Sequence, residues 1–311
     1  MRVAVTGASG HLGNVVCRVL VEQGHAVRAL VRADHRALNG VPVELVPGDV
    51  LDGESLRRLC AGCEAVVHCA AVISTDGDPT AVVHHTNTQG PLNLWDAARA
   101  CGVRRYVHVS SVHAVTELPH SDPYDESRPY KVDGTAYDRS KSAAEQALRE
   151  RAMTDAMELV LLRPSAILGP YDSKPSKMGA ALLDFYNGKV PVLPPGGYDL
   201  VDVRDVARSV VAAITHGRPG EVYLLSGAYC TMKELAQCIA QVTGRRMPQR
   251  VLPFGLLRAL LPVVRLWAWL TRSAPSFTRE AIEALRNGHP RMDSSKAQRE
   301  LAHRARPLLQ T

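Results

Sequence analysis

The sequence predicts an α/β protein, a doubly wound parallel sheet carrying a smaller, mostly helical C-terminal lobe. Three observations lead there. Short apolar runs alternate with helix-period segments through the first half of the chain. A glycine-rich turn, Thr6-Gly-Ala-Ser-Gly-His-Leu-Gly13, joins the first such run to the first helical segment. Later, Tyr137 and Lys141 lie four apart on a segment with clear helical patterning, Ala143, Ala144, Glu145, Ala147 and Leu148.

Val3, Ala4 and Val5 read as a short buried strand, and Val15, Val16, Val19 and Leu20 recur at helical spacing until Gly24. Glycines mark any tight loop, but a strand before and a helix after make this one a dinucleotide cradle. Gly7 permits the reversal, Gly10 lets the backbone approach a pyrophosphate, and Gly13 lets the helix pack closely on the strand. The helix N-terminus offers free N–H groups to an anion, so Gly7, Ser9, Gly10, His11, Leu12 and Gly13 are the expected phosphate-binding stretch.

Ala26 to Val31 is the second strand. Its carboxyl end selects the cofactor: an acid there bonds the adenosine ribose hydroxyls, whereas an arginine pairs with a 2′-phosphate. Arg32 follows directly and Asp34 lies beyond the strand end, so NADP(H) is preferred, with NAD(H) as the alternative. Val43 to Val46 is a third strand, leading to Asp49 where the adenine would lie, and Asp52 can cap the helix that begins near Glu54. Ala65 to Ala71 is a continuous apolar strand whose small end residues Ala70 and Ala71 leave room for a ligand. A helix over 85–101 and a strand from Arg105 to Ser111 follow, ending in Ser110-Ser111, two hydroxyls placed to hold a substrate oxygen. Residues 113–135 lack periodicity and form a loop over the substrate. On the next helix Tyr137 and Lys141 share a face, and an ammonium near a phenol would lower its pKa toward the range of a proton-transfer catalyst.

At 311 residues the chain has room for two domains, or for one large core bearing a lobe. No signal peptide fits before the early glycine turn and no apolar run of membrane-spanning length occurs, so a cytoplasmic protein is expected. Seven cysteines, mostly in apolar segments, read as free thiols. Cys60 and Cys63 form a CxxC pair without a second pair or a histidine cluster, a helix end and a strand start, and no metal site is expected. The net charge of +6 is uneven: residues 244 to 272 hold Arg245, Arg246, Arg250, Arg258, Arg265 and Arg272 and no acid. One local basic feature argues against a nucleic-acid surface.

The glycine turn, the serine pair and the Tyr137/Lys141 pair, in this order, resemble the extended short-chain dehydrogenase/reductases over nearly the whole chain. The resemblance implies a Rossmann sheet of seven parallel strands, catalytic roles for Ser111, Tyr137 and Lys141, and adenine contacts at Asp49 and Val50. It also implies that Ala70 and Ala71 form the small strand-end pair and that Arg163-Pro164 flanks the nicotinamide. Asn87 and Gly90 match a family stretch in which Pro91 replaces the usual threonine. Ala166–Pro170, Val201–Ala207, Gly220–Gly227 and Ser295–Leu301 are similar to the dihydroflavonol 4-reductase-like and 3β-hydroxysteroid dehydrogenase-like branch. The implied organisation is a cofactor domain of residues 1–165, with 199–227 returning to its sheet, and a substrate lobe of 166–198 and 228–311. A homodimer through the helices around 85–101 and 137–152 is also implied.

In residues 251–272, Arg258, Arg265 and Arg272 recur every seven positions among apolar residues with Trp267 and Trp269, and Pro262 splits the stretch into two helices. A lid over the cleft, a peripheral membrane surface and a partner surface all fit it. Thr278 reads as the cap of a further helix through Leu285. The leading functional reading is an NADP(H)-dependent oxidoreductase interconverting a ketone and a secondary alcohol, with an apolar small-molecule substrate that is flavonoid-, steroid- or otherwise lipid-like. The alternatives are a nucleotide-sugar epimerase or dehydratase holding NAD, and a non-catalytic NADP-sensing protein.

Overall fold

The structure, a computed structural model, describes residues 1–74, 78, 80–259, 261 and 279–311. Its frame is a sheet of β1 (Arg2–Thr6), β2 (Ala26–Val31), β3 (Glu44–Pro47), β4 (Ala65–His68), β5 (Arg105–Val109), β6 (Glu158–Pro164) and β9 (Val222–Leu225). The order is β3-β2-β1-β4-β5-β6-β9 and every pairing is parallel. Direction of winding reverses between β1 and β4, and a ligand crevice opens at the carboxyl ends of those strands.

Helices α1 (His11–Glu22) and α7 (Val203–His216) pack together on one face, where Val15, Val16, Leu20, Val206, Val210 and Ile214 close over Val3, Val5 and Val107. On the other face lie α2 (Gly53–Cys60), α4 (Gly90–Ala100) and α5 (Ala136–Ala152), burying Leu56, Leu94, Trp95 and Leu148 against Val66, Tyr106 and Leu161. Strands covered on both sides are largely apolar, and Val3–Val5, Ala65–Val67 and Leu159–Leu162 are continuous apolar runs of this kind. Helix starts follow from side-chain caps: Asp52 accepts the Glu54 and Ser55 N–H groups at α2, and Thr135 and Asp138 form a reciprocal capping box at α5. Cys60 and Cys63 are free and buried, and burial pushes the Cys60 thiol up to about 12.

Three differences from the expected elements are local. The strand expected to reach Ala71 ends at His68, because its partner β1 stops at Thr6 and the glycine turn presses on the backbone at Cys69 and Ala70. Similarly β5 ends at Val109 rather than Ser111, where Ser111 turns to cap a short 3₁₀ turn, Val112–Ala114. The helix expected from residue 85 begins with α3 (Val82–His84) and runs through a π-helical segment, His85–Gln89, into α4. That segment brings Asn87 inward, where its amide bonds both Val72 backbone groups (2.7 and 2.9 Å) and Ser140 Oγ (3.0 Å).

The lobe holds α6 (Lys177–Tyr186) and α8 (Met232–Thr243), but it is not mostly helix alone. β7 (Ala166–Leu168), β8 (Gly197–Asp202) and β10 (Ala228–Thr231) make a second sheet in the order β10-β8-β7. Of residues 199–227, only β9 pairs in the main sheet, since β8 has β7 and β10 as its neighbours. The chain ends through α9 (Arg279–Asn287) and α10 (Ser295–Leu301). Arg265, Trp267, Trp269, Arg272 and the Thr278 cap lie outside the described residues, while Arg258 reaches Glu283 at 3.6 Å. Among the described residues no helix is long and apolar enough to cross a membrane.

Candidate active site

At the glycine turn, Gly7 has φ +66° and a Cβ there would stand 2.6 Å from the Ala70 nitrogen. A Cβ on Gly13 would stand 2.1 Å from the Gly7 carbonyl oxygen, so only glycine lets α1 start this close to the turn. Gly10 faces outward and N-caps α1 with no side-chain cap and no acid in the first turn. The first N–H groups of the helix, at His11, Leu12 and Gly13, therefore have no side-chain acceptor and fit a dinucleotide pyrophosphate. Ser9 is half-buried beside them. Across this turn lies the segment Gly169–Tyr171. His11 Nε2 is 3.0 Å from the Pro170 carbonyl, Asn14 donates to the Tyr171 carbonyl (3.2 Å), and the Arg18 guanidinium stacks 4.6 Å above the Tyr171 ring. Tyr171 holds φ +68°, a strained value for a residue with a side chain.

Arg32 follows the end of β2 with its side chain 79% exposed, and its nearest acid is Asp49 at 4.0 Å. Asp49 is half-exposed and accepts the Leu51 N–H. The competing acid, Asp34, is engaged by Arg36 through two bonds (3.0 and 2.9 Å), which hold its carboxyl well below the usual range. Val50 is buried against Gly90, where a Cβ would come within 2.9 Å of it. Its side chain is thus committed to the α4 contact, and its carbonyl accepts from the Asn93 amide on the same helix (3.3 Å). Ala71 is exposed at the end of the β4 exit, and Pro164 closes β6 opposite Leu225.

Ser111, Tyr137 and Lys141 come together at the carboxyl end of β5. Ser111 faces the Tyr137 phenol, whose pKa it acts to lower, and its hydroxyl accepts the His113 N–H (3.2 Å). Lys141 is buried, donates to the Val109 carbonyl (3.1 Å), and has its ammonium 5.9 Å from the Tyr137 ring centre. The expected lowering of the phenol pKa is not what this geometry produces. Desolvation pushes Tyr137 up to about 12 against the opposing effect of Ser111, while Lys141, its proton turned to a backbone carbonyl, is itself lowered by burial to about 8.

Several residues around this group had no signal in the sequence. Beneath it His68 and His108, opposite one another on β4 and β5, stack with ring centres 5.3 Å apart and are fully buried. Thr6 Oγ1 meets His68 Nδ1 at 2.7 Å, whereas both His108 nitrogens lack partners. Burial holds His68 down at about 3 and His108 well below the usual histidine range. Arg163 forms a buried pair with Glu145 (2.7 Å) and donates to the Glu126 carbonyl, tying α5 and the loop to β6. Arg128 donates to the carbonyls of Leu118, Pro119, Asp122 and Pro123, so the 113–135 loop is braced from within. A buried arginine in a stretch without periodicity was the available hint.

A family model for the NAD dependent epimerase/dehydratase family matches residues 3–226. The chain belongs to that family. It is an extended short-chain dehydrogenase/reductase and an NAD(P)-dependent oxidoreductase, as the resemblance implied. It is 36% identical to the sterol demethylase protein B of Methylococcus capsulatus over 97% of this chain and 93% of that protein. A putative dihydroflavonol 4-reductase of a Synechocystis strain is 33% identical over 81% of this chain and 75% of its own length. Among solved structures, that of gox2253 superposes with a TM-score of 0.85 at 31% identity, covering 100% of this chain and 94% of the other. A dTDP-glucose 4,6-dehydratase from Streptomyces venezuelae with NAD bound shares the fold at 22% identity, with a TM-score of 0.78 over 99% and 92% of the two chains.

Proposed function

We propose that this oxidoreductase uses NADP(H) to interconvert a ketone and a secondary alcohol on an apolar, polycyclic or isoprenoid substrate, with Tyr137 as acid and base. The observation that carries the reading is the meeting of Ser111, Tyr137 and Lys141 at the carboxyl end of β5, Lys141 one helical turn along from Tyr137, at the mouth of the glycine-turn crevice. When bound, the nicotinamide supplies or takes the hydride. Ser111 holds the substrate oxygen and Tyr137 gives it a proton. A phenol held near 12 is protonated at neutral pH, the form the reductive direction needs. Lys141 contacts the ribose and offsets negative charge as the phenolate forms.

Arg32, exposed where the 2′-phosphate of NADP would lie and without a closer acid than 4.0 Å, supports NADP over NAD. The substrate class is supported by the activities for which similar proteins are named: a sterol demethylase protein, a putative dihydroflavonol 4-reductase, a farnesyl-quinoline oxide ketoreductase and a 3-beta-hydroxysteroid dehydrogenase. A homodimer through α4 and α5 would have to be polar, since Asp96, Arg99, Arg139 and Arg149 face outward there.

The test is equilibrium binding of NADPH and NADH to the wild type and Arg32→Glu, followed by NADPH oxidation with 5α-cholestan-3-one and dihydroquercetin. NADPH preference that collapses or inverts in the variant, with turnover of either ketone, is the expected result. NADH preference untouched by the substitution, with no ketone turned over, would move weight to a sugar-nucleotide epimerase or dehydratase holding NAD.

A further inference from the structure

We propose that His113 is the proton-exchange residue that serves Tyr137, a role that rests on the reductase reading above. His113 sits on the 3₁₀ turn immediately after Ser111, which accepts its N–H. Its ring meets the Tyr137 ring edge-on, with centres 6.1 Å apart at 69°. Nδ1 lies 3.5 Å from both Glu117 Oε1 and Asp138 Oδ1. Lys131 bridges the same two carboxylates, at 2.6 Å from Glu117 and 3.5 Å from Asp138.

Charge explains why a histidine stands there. Glu117, Asp138 and Lys131 have side chains only 10–13% exposed, and together they carry one surplus negative charge. Against the burial that would raise it, His113 first and then Lys131 hold the Glu117 carboxyl below the usual carboxylate range. A protonated imidazole makes the group neutral, and with two acceptors at Nδ1 the proton that comes and goes is the one on Nε2. The side chain is 38% exposed, so it also meets solvent. In the reductive direction, Tyr137 is left as phenolate once the substrate oxygen has taken its proton. A water between the two rings then gives a proton to the phenolate, re-forming the phenol O–H bond, and takes the Nε2 proton of the imidazolium, whose neutral form recovers a proton from solvent. No electrons move in this step. Oxidation runs it in reverse. A side chain that merely ties the loop to α5 would use the same contacts without titrating, and this is what the experiment separates.

The first arm needs neither cofactor nor substrate. In ¹⁵N-histidine NMR titrations of the full chain, the His113 midpoint should differ between Glu117→Gln and the wild type. A midpoint common to both overturns the proposal. The second arm follows NADPH oxidation by 5α-cholestan-3-one. His113→Ala should slow kcat by about a hundredfold, keep NADPH affinity, and recover in added imidazole, whereas His113→Gln should be slow without recovery. His113→Gln as fast as the wild type rejects the role of His113 alone. A wild type that turns over none of the ketones rejects the reductase reading and this step with it.

Discussion

Tyr137 is where chemistry and structure bear on one atom. Its phenol faces Ser111 and is pushed up by desolvation, so Tyr137→Phe removes the proton donor without emptying the crevice. Turnover should fall by at least about a hundredfold with NADPH affinity unchanged; a fully active variant in a stopped-flow assay would remove the assignment. Ser111, Tyr137 and Lys141 were legible because their order and spacing carry information by themselves. What tunes them was not. His68 and His108 stand in strands that read only as apolar runs, and a histidine there tells nothing of whether it is buried, stacked or charged. Likewise Asn87, whose family stretch is broken by Pro91, proves to be a brace between the β4 exit and α5.

Elements are held in place by contacts that tolerate little change. Gly13→Ala would set a methyl 2.1 Å from the Gly7 carbonyl, so α1 must shift, at a cost of about 1–3 kcal/mol. NADPH affinity should fall with stability. Gly24→Ala is the control: with φ +78° but nothing within 4 Å, it costs about 1–2 kcal/mol and leaves binding intact. Between α5 and β6, Glu145→Ala leaves the buried Arg163 charge unpaired and should cost about 3–5 kcal/mol in urea unfolding. At this scale β2 was read to the residue, since a chain-reversing glycine before it and an arginine after it bound a run that is apolar but for Arg28. The strands ending at His68 and Val109 were read too long, because composition continues apolar or small while the pairing partner has already stopped. The π-helical segment before α4 has no periodicity of its own to announce it.

Across the whole molecule the seven-stranded order followed from alternating runs, but the second sheet did not. β7 and β10 are three and four residues long, too short for a pattern to separate them from loop. The buried histidines act on the entire fold. Their folded pKa values lie below the unfolded value of about 6.5, so as pH falls the unfolded chain takes up protons that the folded chain refuses. Stability is therefore present above pH 6.5 and lost between about 6.5 and 3, by up to about 2.7 kcal/mol per pH unit for the pair. Urea midpoints at pH 7, 6 and 5 measure it, and His108→Phe, which removes two unpartnered nitrogens, should halve the slope. The segment Gly169–Tyr171 has its own consequence, in time. His11, Asn14 and Arg18, all on α1, grip it across the turn that the dinucleotide must enter, and Tyr171 is held there in a left-handed conformation. Loading and departure of the cofactor then require this clasp to part, so residence time is set by the clasp as well as by phosphate contacts. Arg18→Ala should speed NADPH dissociation and association together while the equilibrium constant moves little, so in the wild type the opening of the clasp sets how soon spent cofactor leaves and the next turnover begins.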